Sequence, residues 1–268
     1  MPTILITGAA GRIGAMLRAR LARPDRTLRL LDVAALTAGP GEEVVQASIT
    51  DLADVTRACA GVGAVIHLAG LAAEAPWDQI AEANIHGTYV AFEAARRAGV
   101  ARVIFASSNH AVGFAPATDF PVPDYAFPAP DTYYGVSKVA GEALAALYHY
   151  RYGLDTICLR ILSCTDRART IRELSTWLSP GDTGRLFEAC LTAAEPGFRV
   201  AYGVSANTRG GWVSLDEARA LGYEPVDDAE QFAAEVIAAN GEPDATDPVQ
   251  AHLGGEFCLP SLDAEFLT

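Results

Sequence analysis

Tyr134 and Lys138 stand four residues apart in Tyr134-Gly-Val-Ser-Lys138. On a helix that spacing puts both side chains on one face. A phenol beside an ammonium is a candidate general base, because the cation favours the phenolate and draws the phenol pKa toward working pH. Of the 20 basic residues, Lys138 is the sole lysine. Arginine cannot stand in for a compact ammonium, so this position either needs one or keeps it by chance. Tyr133 has no lysine at the same spacing and reads as a packing residue.

Ser107-Ser108-Asn109-His110 closes an apolar run that begins at Val103. The Ser108 hydroxyl can hydrogen-bond an oxygen undergoing reaction, although a serine there is also an ordinary turn former. Asn84 lies inside a helical pattern, where asparagine is a mediocre helix former. It can bend the helix or orient a water. Near the amino terminus, Thr7-Gly8-x-x-Gly11-x-x-Gly14 follows one apolar run and opens a helix. Glycines there permit a tight turn and let backbone N–H groups approach a pyrophosphate, which makes the turn a candidate dinucleotide site. Asp32 ends the next apolar run, and a carboxylate at that point can accept from both hydroxyls of an adenosine ribose. It would repel a 2′-phosphate, favouring NAD over NADP. Arg12 inside the glycine turn argues weakly the other way, and Asp32 can also serve simply as a strand-end turn residue.

The elements that must position these groups alternate. Apolar runs at Thr3–Thr7, Leu28–Val33, Val62–His67, Val103–Ser107 and Thr156–Ile161 read as strands. Leu52–Ala60, Trp77–Ala98 and Thr132–Tyr152 read as helices between them. Continuous apolar strands separated by helices predict an α/β fold, a Rossmann-type doubly wound parallel sheet. From Ser163 the alternation weakens to a helix at Thr183–Ala194, a strand at Arg199–Tyr202, and helices at Leu215–Ala220 and Glu230–Ala239. Residues 1–162 are therefore expected to form the nucleotide-binding domain with the catalytic groups. Residues 163–268 should form a small substrate-capping portion, not an independent domain. The segment Phe114–Asp131 holds five prolines and reads as a long functional loop.

The formal net charge is −13, with no basic run, which argues against nucleic acid or an anionic membrane as partner. Five cysteines at wide spacing, with no C-x-x-C, suit a reducing cytoplasm and fit neither a disulfide framework nor a zinc site. No His, Cys or carboxylate cluster has metal spacing. The first residues lack a signal-peptide pattern, and no run approaches the roughly 20 apolar residues of a membrane span. His67, at a strand end, reads as a packed side chain, and His149 and His252 as surface residues.

Taken together, the glycine turn, Asp32, Asn84-x-x-Gly87-Thr88, the Ser-Ser strand end and Y-x-x-x-K resemble the extended short-chain dehydrogenase/reductases across residues 3–165. The resemblance implies NAD as cofactor, with Ser108, Tyr134 and Lys138 catalytic and Asn84 in support. It also carries cofactor contacts to Gly8, Gly11, Arg12, Ile13, Gly14, Asp32, Ser48, Ile49, Leu68, Ala69 and Gly70, besides Tyr134 and Lys138. A narrower set, Phe105-Ala-Ser-Ser-Asn-His110, Arg160-Ile-Leu-Ser-Cys164, Leu174-Ser-Thr-Trp-Leu178 and Gly203-Val-Ser-Ala-Asn207, resembles the uronate dehydrogenases. Those oxidise the anomeric carbon of glucuronate or galacturonate to an aldarolactone. By that resemblance Ser108, Asn109, His110, Tyr134, Ser163 and Arg172 contact a hexuronic acid. Arg160, Arg167 and Arg169 are rival cations for its carboxylate. Three positions depart from the pattern: Ser48 replaces an Asp near the adenine, Ala72 a substrate-side Ser, and Gly211-Trp212-Val213 a Trp-Trp-Asp run. The alternatives are a nucleotide-sugar epimerase or dehydratase of the same fold, or a non-catalytic NAD-sensing protein. Little chain after Ser163 and no basic cluster for a diphosphate weigh against the former; an intact Tyr134/Lys138 pair weighs against the latter. The resemblance also leads to an expected homo-oligomer, paired along Trp77–Ala98 and Thr132–Tyr152.

Overall fold

Strand β1 (Thr3–Thr7) sends Ile4 and Ile6 into one core and Leu5 into another, the period-two pattern of a strand buried on both faces. The computed structural model describes residues 3–244 and 246–262. After β1 come α1 (Arg12–Leu21), β2 (Thr27–Asp32), β3 (Glu42–Gln46), α2 (Leu52–Ala58), β4 (Val62–His67) and α3 (Trp77–Ile80). A π-helical turn (Ala81–His86) leads into α4 (Gly87–Arg97), followed by β5 (Arg102–Ser108), α5 (Tyr133–Tyr152) and β6 (Asp155–Ile161). The rest comprises β7 (Ser163–Cys164), α6 (Glu173–Thr176), β8 (Trp177–Leu178), α7 (Pro180–Thr192), β9 (Phe198–Gly203), α8 (Asp216–Ala220) and α9 (Ala233–Asn240).

The main sheet has the order β3-β2-β1-β4-β5-β6-β9, and every neighbouring pair is parallel. Helices α1 and α7 cover one face, packing Leu17, Leu21, Leu186 and Phe187 on Ile6, Leu30, Ile104 and Leu159. Helices α2, α4 and α5 cover the other, with Val55, Phe92 and Tyr148 against Leu5, Val65 and Phe105. This is the expected doubly wound fold. The strand order reverses between β1 and β4, so a crevice opens there beyond the carboxyl ends of the strands.

Three sequence readings change. Strand β3 was not anticipated, because as an edge strand it is mostly half-buried and offers no apolar run. The expected single helix over Trp77–Ala98 is interrupted by the π-helical turn that holds Asn84. Residues beyond 162 are joined to the sheet and its core: β9 pairs with β6, and α7 shares the core of α1. A smaller separate core is built on Ala168, Leu174, Trp177, Ala229 and Val236. The final part of the expected capping portion, 263–268, lies outside the described residues. His149 and His252 are half-buried rather than on the surface, because His149 Nδ1 meets the Leu154 carbonyl at 3.0 Å and His252 packs edge-on to Phe114. His67 is packed as expected, between Thr7 and Thr88 hydroxyls at 2.8 and 3.1 Å, and burial pushes its pKa down to about 3.

The long loop after β5 folds back over a core of Val112, Val122, Leu162, Tyr202 and Val204. Phe120 in that loop stacks on Trp212 at 4.9 Å, which gives the Gly211-Trp212-Val213 run a packing role. No helix among the described residues is long and apolar enough to cross a membrane.

Candidate active site

The glycine turn sits at the switch point. Gly8 has φ +71°, and a Cβ there would come within 2.7 Å of the Ala69 nitrogen, so the turn can press directly on Leu68-Ala69-Gly70 after β4. A Cβ at Gly14 would lie 2.7 Å from the Ala9 Cα and the Gly8 carbonyl, so only glycine lets α1 approach β1 this closely. Gly11 caps α1 in extended conformation, and no side chain caps the first turn. The N–H groups of Arg12, Ile13 and Gly14 are therefore left for a ligand. Ile13 anchors the start of the helix on the core, while the exposed Arg12 reaches the Cys164 carbonyl at 3.4 Å.

Asp32 ends β2 beside this turn. Its two oxygens accept from the Ala10 and Ala34 N–H groups, both at 2.9 Å, which fixes the carboxylate and leaves lone pairs for ribose hydroxyls. Ser48 turns inward on Thr50, with hydroxyls 2.8 Å apart, and the buried Ile49 packs against Gly87. The uncapped N–H groups, the glycine cradle and the ribose-height carboxylate fit a dinucleotide.

Asn84 uses its whole amide. Oδ1 accepts from the Leu71 N–H at 2.7 Å, and Nδ2 donates to the Leu71 carbonyl at 3.0 Å and to Ser137 Oγ at 3.1 Å. It thus ties the loop after β4 to α5. Gly70, at φ +139°, is needed beside it, since a Cβ would sit 2.8 Å from Asn84 Oδ1. Ala72 lies exposed on this loop.

Tyr134 and Lys138 occupy the first turns of α5, whose Thr132 cap accepts from the Gly135 N–H at 3.0 Å. Lys138 Nζ donates to the Ala106 carbonyl at 2.8 Å and lies 5.2 Å from the Tyr134 ring centre. The Ser108 hydroxyl at the end of β5 faces the phenol. The expected lowering of the phenol pKa is not found. Burial pushes Tyr134 up to about 12, with Ser108 pulling the other way. The reason is that the ammonium is buried too and directed at a carbonyl: burial brings Lys138 down to about 8, against the opposing pull of Glu142.

Two carboxylates escaped the sequence reading. Buried Glu74 accepts from the Tyr133 and Tyr134 N–H groups at 3.2 and 2.8 Å, so it holds the start of α5. No local motif marks it, because its partners are backbone atoms 59 and 60 residues away. Glu74→Ala should lower stability by about 1 kcal/mol and reduce turnover several-fold. Thermal unfolding and initial rates check this; an unchanged melting temperature would mean that water replaces both bonds without loss. The second is Glu142, which holds Arg160 at 2.8 and 2.9 Å and accepts from Ser107 at 2.6 Å.

That pair removes Arg160 from the rival cations. Arg167 is paired with Glu235, and Arg169 with Asp166. Arg172 has no carboxylate within salt-bridge distance among the described residues. Its Nη1 donates to Ser163 Oγ at 3.1 Å and its Nη2 to the Leu253 carbonyl at 2.5 Å, while the buried Nε has no partner. Burial lowers its pKa. Asn109 Nδ2 donates to the same Leu253 carbonyl at 3.0 Å, which joins the β5 end to the Arg172 side of the crevice. His110 lies edge-on to Tyr134 with ring centres 5.7 Å apart. The structure thus brings Ser108, Asn109, His110, Tyr134, Ser163 and Arg172 around one region. The glycine turn contacts residues 68–69 and, through Ala10, Asp32, while Ser48 and Ile49 are held against Thr50 and Gly87. No group that could hold a metal occurs among the described residues.

A seven-stranded doubly wound sheet with a switch-point glycine turn and a Ser, Tyr and Lys set defines a dinucleotide-dependent class. The chain belongs to the NAD dependent epimerase/dehydratase family, whose sequence profile matches residues 4–164. Within it, the chain is 41% identical to the uronate dehydrogenase of Pseudomonas putida over 96% of its own length and 95% of the relative's. It is 42% identical to that of Agrobacterium fabrum over 96% and 97%. The crystal structure of uronate dehydrogenase from Agrobacterium tumefaciens superposes with a TM-score of 0.90 at 40% identity, covering 96% of this chain and 97% of the other.

Proposed function

We propose that the protein is an NAD-dependent dehydrogenase that oxidises the anomeric carbon of a hexuronic acid to the aldarolactone. The observation that carries this reading is Arg172, a buried guanidinium with no acidic partner, set beside Ser163 and linked to Asn109. An uncompensated buried cation is costly, and a substrate carboxylate supplies the missing partner through two parallel bonds. A neutral hexose leaves it unpaired. A variant of the Agrobacterium tumefaciens enzyme crystallised in complex with NAD, in agreement with the cofactor that the glycine turn and Asp32 suit.

The glycine turn and Asp32 would hold NAD, which would supply the acceptor for the hydride that leaves the sugar C1. Tyr134 takes the proton from the anomeric hydroxyl as the C1–O bond becomes a carbonyl, so the cyclic sugar becomes a lactone with no change elsewhere. Ser108 hydrogen-bonds the oxygen that changes. Lys138, held beside the phenol ring by its bond to the Ala106 carbonyl, serves the cofactor ribose, while Ser108 is the group that pulls the phenol toward the phenolate. Asn84 keeps the loop after β4 seated against α5, and Asn109, His110 and Ser163 orient the sugar.

Asp32 should make NAD the preferred cofactor, since its carboxylate repels a 2′-phosphate. Asp32→Asn should raise the Michaelis constant for NAD and narrow the gap to NADP. A wild-type preference for NADP would show that Arg12 governs instead. We also place the protein in the cytoplasm, on its five free cysteines. An exposed apolar strip on α4 and α5, including Tyr89 and Leu147, supports a homo-oligomer paired along these helices.

A further inference from the structure

The imidazole of His110 is held on three sides. Its Nδ1 lies 2.6 Å from Asp131 Oδ2, its face stacks on Phe257 at 4.2 Å with the planes 24° from parallel, and its edge meets Tyr134. Asp131 is sealed from water, at 0% exposure, whereas His110 keeps 16% of its side chain open. The carboxylate sits in a slot that only glycines permit. A Cβ at Gly113 or at Gly254 would overlap Asp131 Oδ2, so no other side chain at either position leaves it room.

We propose that Asp131 is a positioning residue that fixes the tautomer of His110, so that Nε2 is presented to the sugar as a hydrogen-bond acceptor. The inference rests on the hexuronic-acid reading above and extends it to the chemistry of one contact. A carboxylate only accepts, so Nδ1 must carry the proton, and in the neutral ring Nε2 is then bare. Nε2 has no hydrogen-bond partner among the described residues, and the ring, 16% exposed, lies against Tyr134, whose phenol meets Ser108. A substrate hydroxyl donating to Nε2 would be set at a fixed angle to the carboxylate held by Arg172. The pair would thereby select the configuration of a ring hydroxyl.

Thr132 makes the test sharp. Its oxygen accepts from the Gly135 N–H, so its own hydrogen goes to Asp131 Oδ1 at 3.0 Å. In Asp131→Asn the oxygen must stay at Oδ1 to receive that hydrogen. The amide nitrogen then takes the Oδ2 position and donates to Nδ1, which moves the ring proton to Nε2. The substitution is isosteric, and it reverses the polarity of the contact.

The experiment uses the full chain labelled with nitrogen-15, with the His110 ring signals assigned through His110→Gln. The wild type should show Nδ1 protonated, and Asp131→Asn should show Nε2 protonated. The variant's kcat/KM for glucuronate should fall about tenfold, with NAD binding, measured by calorimetry, unchanged. Protonation at Nε2 in the wild type overturns the proposal, and that spectrum decides even if the variant does not fold. A variant whose tautomer has flipped while its kcat/KM stays at the wild-type value also overturns it. If the wild type has no activity on any uronate, the functional reading fails, and the ring spectrum still reports the tautomer independently.

Discussion

Tyr134→Phe should fold normally, bind NAD as before and turn over at least about 10²-fold more slowly. The phenol is buried, and among the described residues its hydroxyl donates to no carbonyl that would be orphaned by its loss, so the change removes the base and little else. Initial rates at saturating NAD and uronate read the effect; near-normal turnover would remove Tyr134 from the chemistry. Lys138 gives the companion result with a sign in pH. Its folded pKa, about 8, lies below the unfolded value of 10.5, so the folded state disfavours the ammonium. That penalty builds as pH falls from about 10.5 to about 8 and is complete below, on the order of 3 kcal/mol. Lys138→Met should therefore abolish turnover while raising the melting temperature, with a larger gain at pH 7 than at pH 10. An equal gain at both would mean that the lysine is not strained by its charge. A stabilised, inactive variant is the expected signature of a residue kept for function.

Arg172→Ala should weaken use of a uronate by roughly 30-fold or more, because loss of a charged partner typically costs about 2–5 kcal/mol. The NAD constant should not move, since Arg172 is bonded to Ser163 and Leu253 and to no residue of the glycine turn. The preference for a uronate over the matching neutral hexose should narrow. A protein of net charge −13 gives an anionic substrate no long-range attraction, so the local guanidinium has to supply the whole of it. Retention of the wild-type preference in the variant would mean that the carboxylate is held elsewhere.

What could be read from the sequence followed from local chemistry. The glycine turn, Asp32 and the Tyr134/Lys138 pair are spaced by the geometry of one turn or one helix, and the buried strands write their pattern as apolar runs. The roles that escaped depend on chain closure. Glu74 and Glu142 act on backbone and side chains brought near only by the fold, and the Leu253 carbonyl gathers Asn109 and Arg172 from segments 144 and 81 residues distant. Asn84 was legible as an unusual residue within a helix, but its π-helical turn and its grip on Leu71 were not. The expected lowering of the Tyr134 pKa failed for a related reason: spacing places the cation near the phenol, and only the packed core shows that burial outweighs it. The free state of Arg172 became visible once Arg160, Arg167 and Arg169 were seen paired.

The most direct test is the initial rate of NADH formation by the purified protein with NAD and, in parallel, glucuronate, galacturonate and the corresponding neutral hexoses. The account predicts rapid NADH formation with at least one uronate, a lactone as the first product, and far slower reaction with the neutral sugars. Equal rates with uronate and neutral hexose, or NADH formation with neither, would contradict it.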